Sequence, residues 1–268
     1  MSKVIGIIAI KGGVGKTSCS ANLGAALAYE FNKRVLLVDA NFSAPNLALH
    51  FGLADPEATL HDTLSNKAKI GDAIYEYDKN LHIIPGSMLN EKINPFKLRE
   101  KLHKLKDLYD VIIIDSSPNL NNEILATMLA SDELFVVTSP DFPTLSCTMH
   151  AVKVAKQRKT PISGLILNRT RNKGFELTLE DIEKNTGVPI VAVLKDDIKV
   201  LESVANTKPV VVHSPLSDVS IEYKKLAAAI VNEDYDDPRF FNKLIGLFNK
   251  KVQKSEINRN LLREGKLY

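Results

Sequence analysis

Seven consecutive residues, Lys11-Gly12-Gly13-Val14-Gly15-Lys16-Thr17, carry the strongest chemical signal in the sequence. They follow an apolar run, Val4–Ile10, and precede a helix-like stretch, which is the setting a phosphate-binding loop requires. Glycine accepts backbone conformations closed to residues with a Cβ, so successive N–H groups of such a loop can turn inward on an anion. The positive end of the following helix adds to that field. Lys16 is placed to reach the β- and γ-phosphates of a nucleotide. Thr17 is placed to offer its hydroxyl to Mg²⁺, and Ser18 to touch the α-phosphate. The competing reading is a plain glycine turn between strand and helix, and motif and setting together disfavour it.

Positioning such a loop takes a sheet. The sequence predicts strands over Val4–Ile10, Arg34–Val38, Leu81–Ile84, Val111–Ile114, Leu134–Thr138, Ser163–Leu167 and Ile190–Leu194. Most are unbroken runs of Val, Ile and Leu. Strands covered on both faces read that way, so the sheet is expected to be mostly parallel. Between them, helices are expected over Lys16–Phe31, Pro95–Leu105, Asn122–Ala130, Leu145–Gln157, Leu177–Asn185, Ile198–Ala205 and Ile221–Val231. The alternation argues a doubly wound α/β fold, three layers with helices on both sides.

The chain has 268 residues, 44% of them hydrophobic and 25% charged, which suits a packed α/β domain with a tail and excludes disordered or fibrous classes. Its two cysteines, Cys19 and Cys147, cannot build a disulfide framework or a four-cysteine zinc site. The six histidines show no metal-ligand spacing, and Cys19 reads as buried packing. No apolar run approaches the ~20 residues of a membrane span. Val4–Ile10 runs into the glycine loop, not into a cleavage site, so a cytoplasmic protein is expected. The net charge of +3 hides an asymmetry: residues 239–268 hold eight basic and two acidic side chains, so the rest of the chain sums to −3. A basic tail on a mildly acidic body points to an anionic partner, lipid or nucleic acid.

With the extra lysine, Lys11, at its start, the loop resembles the deviant Walker A motif of the MinD/ParA family of ATPases, most of all archaeal MinD-like proteins. The resemblance covers about the first 230 residues. It implies a P-loop NTPase fold, ATP and Mg²⁺ as ligands, and a homodimer in which Lys11 reaches the partner's ATP. An anionic triphosphate would then be completed by cations from both subunits. Further motifs follow in order. Asp115, after Val111–Ile114, resembles Walker B and would hold a Mg²⁺-bound water, with Ser116–Leu120 as switch II. Asp39 ends the second strand, but Asn41 stands where the family usually has a second aspartate. An amide can orient water yet cannot accept its proton. Hydrolysis is therefore expected to be slow or partner-dependent, unless Asp39 or the backbone holds the water instead. Asn168 and Arg169 match the family's base-facing pair, Asn168 toward the adenine edge and Arg169 stacked on the ring. Lys195 replaces a proline usual in that pocket. The absence of a guanine-reading motif favours ATP over GTP, and the absence of paired cysteines speaks against iron–sulfur carriers with the same loop.

These signals divide the chain into an ATPase domain over residues 1–231, an acidic linker over 232–238 and a basic tail over 239–268. Within the tail, residues 239–254 are expected to form an amphipathic helix after Pro238. Phe240, Phe241, Leu244, Ile245, Leu247 and Phe248 fall in an arc of about 160°, with lysines opposite. That pattern suits an anionic membrane surface, and MinD proteins end in such a helix. Packing on its own domain or on a partner is the competing reading. The expected function is an ATP-dependent dimerising switch that positions division machinery or other cargo, with an activating or cargo protein as partner. A ParA-like ATPase on a DNA surface and a slowly hydrolysing ATP-bound scaffold are the alternatives.

Overall fold

The computed structural model of the protein describes residues 2–88, 93–239 and 253–267. Eight strands form one sheet: β1 (Lys3–Ile8), β2 (Val35–Ala40), β3 (Tyr75–Asp78), β4 (Leu81–Ile84), β5 (Val111–Ser116), β6 (Glu133–Thr138), β7 (Ile162–Thr170) and β8 (Ile190–Lys195). Their order is β3-β4-β2-β5-β1-β6-β7-β8. All neighbours are parallel except β3, which runs antiparallel to β4. The seven expected strands are present within a few residues of their predicted ends. β3 was not expected, because Tyr75-Glu76-Tyr77-Asp78 alternates half-buried and exposed side chains at the sheet edge and has no apolar run.

The helices are α1 (Lys16–Glu30), α2 (Leu60–Leu64), α3 (Leu98–His103), α4 (Asn122–Ala130), α5 (Phe142–Gln157), α6 (Leu179–Thr186), α7 (Ile198–Ala205), α8 (Val210–His213), α9 (Asp218–Val231) and α10 (Lys254–Arg263). Caps account for the differences from the predicted ends. α5 begins three residues before Leu145 because the Asp141 side chain accepts from Thr144 N–H and Pro143 suits the first turn. α6 begins after Thr178, which accepts from Asp181 N–H. The helix expected over Pro95–Leu105 opens instead as a 3₁₀ turn, Pro95–Lys97.

Both faces of the sheet are covered. Ile5, Ile7, Leu37 and Ile113 pack with Leu23 and Leu27 of α1 and Tyr223 and Leu226 of α9. On the opposite face, Val4, Leu36, Val38 and Ile112 meet Leu98 and Leu102 of α3, while Ile8, Leu134 and Val136 meet Ile124 of α4 and Val152 of α5. Burying a large aliphatic side chain stabilises by about 1.5–3 kcal/mol, so this two-sided core holds the strand ends rigidly. β1 sits where the strand order reverses, between β5 and β6. Ligands of open α/β sheets bind in the crevice outside such a reversal, and here that is where the glycine loop emerges.

Residues 232–238 contain neither helix nor strand. α10 lies against β8 and α9: Asn258 donates to Glu183 at 2.7 Å and to the Ile190 carbonyl at 2.8 Å, and Arg259 pairs with Glu222 at 2.5 Å. The apolar positions Phe240, Phe241, Leu244, Ile245, Leu247 and Phe248 lie outside the described residues. Among the described residues no helix is long and apolar enough to cross a membrane.

Candidate active site

The loop after β1 turns through two left-handed glycines, Gly13 at φ 75° and Gly15 at φ 95°. Gly15 is required twice over. Its φ suits only glycine, and a Cβ there would stand 2.3 Å from Asn168 Nδ2. That amide nitrogen donates to the Val14 carbonyl at 2.8 Å, so Asn168, expected beside the base, also braces the phosphate loop. Gly12 and Gly13 are exposed, and Val14 is buried beneath them. α1 starts at Lys16, whose ammonium is buried. Burial pulls the Lys16 pKa down, against the pull of Asp115. Ser18 lies half-buried in the first turn, and its carbonyl accepts from Asn22 Nδ2.

β2 and β5 bring Asp39 and Asp115 into register as neighbours, both fully buried. Burial pushes both carboxyls up, Asp39 also because of the adjacent Asp115. Asp39 is committed to the backbone. Its oxygens accept from the N–H groups of Asn41 at 3.1 Å and of Asn46 and Leu47 at 2.9 Å. Asp115 is committed on one side only. Oδ1 accepts from Ser20 at 2.9 Å, while Oδ2 is buried without a hydrogen-bond partner. The Thr17 hydroxyl beside it donates to Asn46 Oδ1 at 3.0 Å. Asn41 repeats the pattern: Nδ2 donates to the Ala44 carbonyl at 2.6 Å, and Oδ1 is buried and unpartnered.

An orphaned carboxylate oxygen on Asp115, beside the Thr17 hydroxyl and the Lys16 ammonium, and an orphaned amide oxygen on Asn41 would be costly for folding alone. The oxygen-rich donor set fits a hard divalent cation with its waters, and the loop fits phosphate. Among the described residues no group of three or more His, Cys, Asp or Glu side chains could hold a metal ion by itself.

Lys11 points elsewhere. Its ammonium bonds Asp141 at 3.1 Å and the Thr144 hydroxyl at 2.7 Å, at the start of α5. Burial alone would raise the Asp141 carboxyl, but the hydroxyls of Ser139 and Thr144, the Thr144 N–H and Lys11 carry it down to about 2. Lys11 and Arg169 line one surface cavity of about 350 Å³ with Gly12, Gly13, Asp141 and Phe175. Arg169 is exposed and holds a left-handed φ of 60°. Lys195, at the end of β8, pairs with Asp218 at 2.7 Å, and Asp196 pairs with Arg171 at 2.8 Å. In switch II, Ser117 is buried and its hydroxyl bonds Asn121 Oδ1 at 3.2 Å. Asn119 is left-handed at φ 74°. Cys19 is fully buried and its thiol is pushed up to about 12.

Sequence reasoning missed Ser20, Asn46, Asp141 and Thr144. Asp141-Phe142-Pro143 does carry a readable helix-start signal. Its second role, as the partner of a lysine 130 residues away, has no local signal.

Comparison with known proteins places this geometry. Residues 2–162 match a family model described as an AAA domain. An uncharacterized ATP-binding protein of Methanocaldococcus jannaschii is 35% identical over 261 residues, covering 94% of this chain and 98% of that protein. The septum site-determining protein MinD of Synechocystis is 30% identical over 243 residues, covering 87% and 91%. The crystal structure of the cell division ATPase MinD of Pyrococcus furiosus superposes with a TM-score of 0.82 at 35% identity, covering 86% of this chain and 99% of the other. MinD of Pyrococcus horikoshii, complexed with Mg-ADP, superposes at 0.81 with 36% identity, covering 86% and 96%.

Proposed function

The chain belongs to the MinD/ParA family of ATPases, which use ATP and Mg²⁺, and from that premise we propose that it is a MinD-like cell-division switch whose ATP state is a face-to-face homodimer. The backbone of Gly12, Gly13, Val14 and Gly15, with Lys16, would hold the β- and γ-phosphates, and Ser18 the α-phosphate. Thr17 and Asp115 would hold Mg²⁺, Asp115 through a water. When bound, the metal would neutralise charge building on the phosphates. Asn168 and Arg169 would flank the adenine. Asp39 fixes the loop that carries Asn41, and Asn41 Oδ1 would accept a hydrogen bond from the attacking water. Because an amide takes no proton, turnover in this reading is slow until a partner assists.

The observation that carries the dimer reading is the parking of Lys11 on Asp141 and Thr144. The Lys11–Asp141 ion pair is part-exposed, so a second subunit's triphosphate can outbid it. Two subunits would then present two copies of the segment over residues 240–252, and two weak anchors bind an anionic membrane far better than one. The segment's amphipathic sequence supports that step. Through it the switch would position division machinery or other cargo at the membrane.

Light scattering with Mg²⁺ and a non-hydrolysable ATP analogue tests the pairing. Dimers are expected with the analogue, monomers with ADP, and monomers throughout for Lys11→Ala. Co-sedimentation with anionic vesicles, ATP against ADP, tests the membrane step, with Phe241→Ser/Phe248→Ser as control. Sedimentation with DNA in place of vesicles would overturn the membrane reading.

A further inference from the structure

The loop that carries Asn41 is held on a side the nucleotide motifs do not explain. His61 is the second residue of α2, 2% exposed, and its ring stands edge-on to Phe42 with centroids 5.3 Å apart. Nδ1 accepts the Ser87 N–H at 2.9 Å. Nδ1 is therefore unprotonated, and the hydrogen sits on Nε2, which donates to the Phe42 carbonyl at 3.2 Å. The frame around the ring is fixed. Thr59 and Asp62 form a reciprocal cap at the start of α2, and Leu60 N–H donates to the Pro85 carbonyl at 2.8 Å. The loop after β4 presses on the same loop that carries Asn41. A Cβ at Gly86 would lie 2.5 Å from Pro45 Cβ, so the Gly86 backbone packs directly on the Pro45 ring.

We propose that His61 is a positioning residue for ATP hydrolysis: its Nε2–H holds the carbonyl of Phe42 and so fixes the direction of the neighbouring Asn41 side chain. This inference rests on the reading of Asn41 as the group that holds the attacking water. Asn41 cannot choose its orientation by a second contact of its own, because Oδ1 has no partner in the protein. Its direction is set by the Ala44 carbonyl on Nδ2 and by the backbone on either side. Asp39 holds that backbone at Asn41 N–H, and His61 holds it at the next carbonyl. An amide that only orients water depends more on placement than a base would, since it contributes no proton transfer.

Two conservative variants separate the two ring contacts. Glutamine can place an N–H donor where Nε2 stands. Asparagine can place an acceptor where Nδ1 stands but does not reach Phe42. Phosphate release, affinity for a non-hydrolysable ATP analogue and thermal midpoint are measured for wild type, His61→Gln, His61→Asn, His61→Phe and Asn41→Ala. Expected is kcat within about threefold of wild type for His61→Gln. A fall of about tenfold is expected for His61→Asn and His61→Phe, with analogue affinity within about twofold throughout. Asn41→Ala should fall at least as far. Should His61→Phe fail to fold, the glutamine and asparagine variants still decide. A wild-type kcat in His61→Asn would overturn the inference, as would a His61→Gln rate as low as asparagine's, or affinity falling in step with turnover. If Asn41→Ala alone is slow, His61 is structural and the Asn41 reading stands. If Asn41→Ala turns over like wild type, the Asn41 reading fails and this inference with it.

Discussion

Two clusters of buried charge in this protein are built on opposite plans. Where α10 meets β8 and α9, Arg259 and Glu222 have side chains only 6% and 13% exposed. Arg259 donates to Glu222 and to the Val191 carbonyl at 3.0 Å, and Glu222 also accepts the Val193 N–H at 2.9 Å. At the carboxyl ends of β2 and β5, Asp39, Asp115, Lys16 and Asn41 are as deeply buried, yet Asp115 Oδ2 and Asn41 Oδ1 have no partner. Burial alone therefore does not mark function. The paired cluster ties the end of the chain to the sheet. The incomplete one is an arrangement that folding does not satisfy and a bound nucleotide with its metal can.

The largest effect is expected at the paired cluster. Arg259→Met leaves Glu222 buried without its cation, a change that costs about 3–5 kcal/mol. Denaturant unfolding should show that loss, while affinity for a nucleotide analogue stays within about twofold. Arg259→Met/Glu222→Gln should recover part of it, because glutamine is neutral and still accepts from Val193. A nucleotide affinity that collapsed in the folded single variant would break the division between the two clusters.

The incomplete cluster should respond with the opposite sign. Asp115→Asn removes a buried charge beside Asp39 and is expected to stabilise the nucleotide-free protein by about 1–2 kcal/mol at neutral pH. The same substitution should abolish the dependence of nucleotide affinity on Mg²⁺, read by titration with and without the metal. A destabilised variant would mean that Asp115 serves the fold after all.

The contrast also shows what the amino-acid sequence can carry. The glycine loop was legible because strand, glycines and helix follow one another within a few residues, and the positions of Asp39 and Asp115 because each closes an unbroken apolar run. Most of the sheet was legible for the same reason, in unbroken Val and Ile runs. β3 was not, since an edge strand buries one side of its residues by halves. Nor was the hold of Asp141 and Thr144 on Lys11, or of His61 on Phe42. Each joins residues from different elements, and no spacing along the chain encodes a contact made by the fold. The return of Arg259 to β8 belongs to the same class: its sequence reads as one more basic residue in a tail.

A smaller effect is expected where a pair is exposed. Asp141→Asn weakens the hold on Lys11, whose pair is about 40% exposed on both sides. Such pairs contribute about 0–1 kcal/mol, so the proposed ATP-dependent dimerisation should strengthen by no more than about fivefold. The concentration midpoint of dimer formation in light scattering reads this directly. A dimer weakened by Asp141→Asn would show instead that Asp141 serves the paired state.

The smallest effect is expected at Asp218. Hydrogen bonds from Lys195 and Arg239 carry its carboxyl down to about 2. A folded value below the ordinary ~3.9 means that the group stabilises the fold above about pH 4 and loses that contribution as pH falls toward 2. Asp218 is half-exposed, so solvent screens the pair and the contribution stays below about 1 kcal/mol. Asp218→Asn should therefore leave stability at pH 7 nearly unchanged and make the acid limb between pH 4 and 2 slightly shallower. Denaturant unfolding at each pH follows that limb. A loss at neutral pH as large as that of Arg259→Met would place Asp218 with the buried, fully paired charges and not with the surface.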